Sequence, residues 1–68
     1  MQQVVVSTRE FEMAHGRSPR GRGGWAFFFD GATRVEEAVW FNGLFSEARR
    51  QAVLHARAHG FHHVEVGS

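Results

Sequence analysis

The chain is predicted to be a small α+β domain, an antiparallel sheet with one helix packed on it in the order β-β-β-α-β. Three observations carry this. Trp25-Ala26-Phe27-Phe28-Phe29 is a compact aromatic run of strand length. Asp30-Gly31 and Asn42-Gly43 punctuate the apolar runs as turn signals. Glu47 to His59 is filled with helix formers and closed by Gly60. At 68 residues, the span 1–68 is expected to be a single domain with a small core.

Gln2 to Met13 reads as the first strand. Val4, Val6 and Thr8 alternate with Val5 and Ser7, and the apolar phase then shifts to Phe11 and Met13, which suggests a bulge near Arg9 and Glu10. A Gly/Arg/Pro loop follows. Trp25 to Phe29 is the second strand, with Trp25, Phe27 and Phe29 on one face. Ala38 to Phe41 is the third, ended by Asn42-Gly43. Ser46 suits the N-cap of the helix and Glu47 its first turn. On the helical wheel Arg49, Arg50 and Arg57 share one side. Ala48, Ala52, His55 and His59 lie roughly opposite, so small residues are expected to face the sheet. Phe61 to Val66 is a short last strand. Aromatics occur on both faces of this sheet and one helix covers only one of them. The other face is expected to meet a partner subunit or stacked bases.

Composition excludes several classes. There is no cysteine, hence no disulfide, thiolate metal site or cysteine nucleophile. The apolar content is that of a folded domain, and no apolar run approaches membrane-span length. A cytoplasmic protein is expected. The formal net charge is only +1, but all eight basic residues are arginine. Codon bias accounts for that choice as readily as function does. A core this small often gains burial by self-association, so a homo-oligomer is expected.

The segment from His15 to Trp25 concentrates the charge. It holds Arg17, Arg20 and Arg22 with Gly16, Gly21, Gly23 and Gly24, and no acid occurs from Met13 to Phe29. Glycines let backbone approach a ligand, and guanidinium groups grip phosphate through paired donors. The pattern points to an anion, with Trp25 placed to meet a base or cation. It matches no Walker or Rossmann fingerprint, since it has no lysine and leads into a strand. The bland alternative is a solvated, flexible hairpin loop.

Other constellations are weaker. His55 and His59 have the i, i+4 spacing of metal ligands, with His62 and His63 nearby in sequence. Ala56 stands where a zinc protease needs its glutamate, and packing under the helix is the reading we favour. Glu36 and Glu37 read as a solvated bend. No serine sits in a nucleophile elbow. Neither an enzyme, a metal site nor a cofactor is expected.

The run Gly24-Trp25-Ala26, Asp30-Gly31, Val39-Trp40-Phe41-Asn42-Gly43, Phe45, Glu47-Ala48 and Ala52 resembles the three-stranded-sheet-plus-helix DNA-binding domains of the AP2 type and the arm-binding domains of phage and transposon integrases. In those families the sheet enters the major groove. The resemblance implies a contact set of Arg17, Arg20, Arg22 and Trp25, with Arg34 and Trp40 as further members. The chain is also similar to small phage and mobile-element proteins with a Gly-Arg-Gly-x-Trp-Ala-Phe core.

The leading expectation is therefore a small nucleic-acid-binding module, with DNA the expected target. Arg17, Arg20, Gly21, Arg22 and Gly23 would sit on phosphates, with Trp25, Arg34 and Trp40 beside them. The rival is an oligomeric, phage-type counter-defence protein that sequesters a nucleotide or other phosphate-bearing ligand, or blocks a protein complex through its spare aromatic face.

Overall fold

The computed structural model describes residues 3–32 and 34–67, so Gln2 of the expected first strand lies outside the described residues. The architecture is α+β. Four strands form one sheet, β1 (Val5–Ser7), β2 (Arg22–Phe29), β3 (Val39–Leu44) and β4 (His63–Val66), with helices α1 (Arg9–His15) and α2 (Phe45–His59). The spatial order is β1-β4-β2-β3. β4 runs antiparallel to β2 and parallel to β1, while β2 and β3 form an antiparallel hairpin. The sheet is thus mixed, where a purely antiparallel one was expected.

The largest correction lies at the N-terminal end. The expected strand from Gln2 to Met13 stops at Ser7, and α1 takes its second half. The phase shift read as a bulge is the spacing of a helix. Phe11 and His15, four residues apart, stack at 4.3 Å between ring centroids. Phe11 is buried and meets Trp25 at 5.6 Å, so α1 is held by tertiary packing. Its start is fastened from β4, where Glu65 accepts the Glu10 backbone N–H at 3.2 Å and the Ser7 hydroxyl at 3.1 Å.

Other boundaries also move, and the last strand starts at His63, two residues after the expected Phe61. β2 begins at Arg22, three residues before Trp25, so Arg22, Gly23 and Gly24 belong to a strand. Asn42-Gly43 does not end β3. The pair stays in register with Gly24 and Gly23, and the strand runs to Leu44 and directly into α2. Leu44 occupies the cap position expected for Ser46. Asp30-Gly31 does make its turn, with Asp30 at φ +48° and an Ala32 N–H to Phe29 carbonyl bond of 3.1 Å.

The core lies between α2 and one sheet face. Trp25, Phe27 and Phe29 of β2 face it, joined by Val64 and Val66 of β4. Ala48, Ala52 and Ala56 are fully enclosed, and their small side chains let α2 lie close on the aromatic layer. His55 is half-buried while His59 remains exposed. Gly60, at φ +75°, ends α2 in the left-handed conformation, and the Phe61 N–H reaches back to the Ala56 carbonyl at 2.8 Å. No helix among the described residues is long and apolar enough to cross a membrane.

Candidate functional site

The arginine-rich segment is a helix-to-strand connection, not the hairpin loop expected, because α1 precedes it and β1 pairs with β4. It is tied at three points. Pro19 is buried. The Gly21 carbonyl accepts the Phe45 N–H of α2 at 2.8 Å. Trp25, 8% exposed, lies against Phe11 and edge-on to Phe45 at 4.9 Å, and its indole N–H donates to the Gly43 carbonyl at 3.1 Å. Arg17 and Arg20 flank the buried proline and are themselves exposed, as is Arg22 at the start of β2. No carboxylate lies within 4.0 Å of these three guanidinium groups among the described residues.

Trp25 therefore anchors the segment from within and offers no ring face to a surface base. Trp40 is the exposed indole, 60% accessible. It stands on the sheet face opposite α2, in register with Ala26, and Arg22, Gly24, Asn42 and Leu44 share that face of the β2–β3 hairpin. Arg34 is set apart. It precedes β3 at the far end of the hairpin and lies near Glu36 at 4.0 Å, beside a depression lined by His55 and His59. The structure thus groups Arg17, Arg20, Gly21, Arg22 and Gly23 at one end, with Trp40 further along the open face. Asn42, read from sequence only as a turn residue, joins them because β3 continues through it.

The open face changes sign along its length. From Trp40, which lines its near end, it becomes a groove of about 560 Å³ floored by Ala26, Phe28 and Ala38 and walled by Glu10, Glu65 and His63. The His63 Nε2 is 3.5 Å from Glu65. At the turn end, Asp30 accepts the backbone N–H groups of His62 and His63 at 2.8 and 3.0 Å. These two donors hold its carboxyl below the ordinary value of 3.8.

Of the two histidines expected to pack under the helix, His55 is half-buried and His59 stays exposed. His55 lies 4.9 Å from the Phe29 ring and 4.3 Å from the His59 ring. Burial, followed by the neighbouring His59 charge, lowers its pKa from the ordinary 6.5. No group of three or more histidine, aspartate or glutamate side chains is arranged to hold a metal among the described residues.

Comparison with protein-family models, curated proteins and solved structures finds no match to the chain.

Proposed function

We propose that the chain is a small nucleic-acid-binding module whose α1–β2 segment sits on phosphates through Arg17, Arg20 and Arg22. The observation that carries this reading is a contrast. Three exposed guanidinium groups lack a carboxylate partner among the described residues, yet the backbone bearing them is pinned by Pro19, Gly21 and Trp25. Guanidinium groups on an anchored segment lose less conformational freedom when they close on an anion than groups on a free loop. Arg22 extends the basic strip from the segment onto the open sheet face.

A direct test is anisotropy titration of labelled DNA and RNA oligonucleotides at several salt concentrations. Each phosphate contact adds roughly 0.7 to 0.9 to the slope of log affinity against log salt. The triple variant Arg17→Ala, Arg20→Ala, Arg22→Ala should lose about ten-fold or more in affinity and roughly two to three from that slope. Wild-type binding by this variant would remove the reading.

The groove gives a second reading some support, since its volume suits a small ligand. In that reading an oligomer sequesters a nucleotide. The groove's charged walls are mainly Glu10 and Glu65, the wrong sign for phosphate, which keeps this reading second. A thermal shift with a mononucleotide, unaffected by the triple arginine variant, would reverse the order.

A further inference from the structure

We propose that the open face of the β2–β3 hairpin holds a subsite for one unpaired base: Trp40 stacks the base, the Asn42 amide meets its edge, and Arg22 takes the adjoining phosphate. This rests on the function proposed above and narrows its ligand to single-stranded nucleic acid.

The cradle is built around Gly24. A side-chain carbon placed there would come 3.2 Å from Asn42 Oδ1, and 3.8 and 3.9 Å from Trp40 Cε3 and Cζ3. The indole and the amide therefore converge over bare backbone. A side-chain carbon at Gly24 would crowd the Asn42 amide and touch the indole at ordinary contact distance, and Ala26, the register partner of Trp40, is also small. An indole this accessible leaves apolar surface in water, which a stacked base would cover. Stacking supplies affinity with little regard to sequence, and the amide adds a donor and an acceptor for a base edge.

Charge selects the direction of the strand. From Gly24 toward Arg22, Arg20 and Arg17 the chain has no acid. In the opposite direction the face reaches Glu65, in register with Phe28 of β2, and Glu10 beside it. Arg22 and Phe28 are six residues apart on one strand, about 20 Å at the strand rise. A phosphate chain leaving Trp40 is attracted at one end and repelled at the other, so it runs from Trp40 to the arginine segment. β3 is an edge strand, which leaves that path open at the side. A duplex keeps its bases stacked on one another and offers Trp40 no free ring face.

The test uses the intact chain with eight-nucleotide homopolymers dT, dA, rU and rA and a blunt DNA duplex. The chain has two tryptophans, and Trp25 is enclosed, so stacking should quench the Trp40 fluorescence. Single strands are expected to bind about ten-fold or more tightly than the duplex and to quench emission. Trp40→Phe should remove the quench while retaining part of the affinity. Trp40→Ala should cost single strands about ten-fold or more and the duplex little. Asn42→Ala should shrink the differences among the homopolymers. Because Trp40 lies outside the core, the variants should keep the wild-type melting transition. If Trp40→Ala does not fold, wild-type quenching and Trp40→Phe still decide the matter. Tighter duplex binding, or equal losses on both ligands, would overturn the subsite and leave the broader function standing. Binding to neither ligand would remove both. A change in sedimentation with Trp40→Ala, and none in nucleic-acid affinity, would assign the face to a second copy and overturn the subsite.

Discussion

Two tryptophans with similar sequence surroundings end in opposite environments. Trp25 follows Gly24 and Trp40 precedes Phe41, each inside an aromatic strand. Register decides between them. Trp25 pairs with Phe41 on the α2 side, and Trp40 pairs with Ala26 on the open side. One indole is part of the core, and the other is exposed. His55 shows a related division, because its ring sits among Phe29, Phe41 and Phe61 while still touching solvent. Its pKa is lowered on folding, so the unfolded chain binds the proton more readily. Stability from this site is complete above the unfolded value near 6.5 and is lost as pH falls toward the folded value. The drop in Tm between pH 7 and pH 5 should therefore be smaller in His55→Leu than in wild type. An equal or larger drop in that variant would contradict the assignment.

At the scale of elements, α1 is the part least supported by its own sequence. It has seven residues, too few to persist alone, and its own N-cap residue Thr8 makes no side-chain capping hydrogen bond. Phe11 fixes one face and Glu65 of β4 receives its Glu10 N–H. Glu65→Ala should release that donor and cost about 1 kcal/mol, the scale of a lost helix cap. Amide exchange should then quicken across Arg9–His15 more than across α2. Uniform exchange in both helices would show that the carboxylate does not hold α1. The same helix explains why its residues resemble a strand on paper. Phe11 and Met13 are two apart, as in alternation, but the pair that matters is Phe11 and His15. Met13 stays exposed.

For the whole molecule, the last strand is internal to the sheet. β4 lies between β1 and β2 and contributes Val64 and Val66, both fully enclosed. Removing residues 61–68 takes away these side chains and both neighbours' hydrogen-bonding partner, and leaves β1 with no strand to pair with. The shortened chain should show no cooperative thermal transition by circular dichroism. A sharp melt within a few degrees of wild type would mean that β4 is dispensable. The position of β4 also makes the sheet mixed. β1 and β2 run in opposite directions, so a strand between them is parallel to one and antiparallel to the other.

Local chemistry is readable in the sequence. Periodicity and the Gly60 stop identify α2 and its alanine face, aromatic runs locate the cores of β2 and β3, and Asp30-Gly31 marks its turn. The acid-free arginine segment was visible as well, because composition depends on no folding. Pairing was not readable. That β1 joins β4, that Asn42 continues a strand, that Trp25 turns inward and that Glu65 fastens α1 all depend on contacts between residues far apart in the chain. Such contacts are selected by the joint packing of all the elements, and no window of neighbouring residues contains that information.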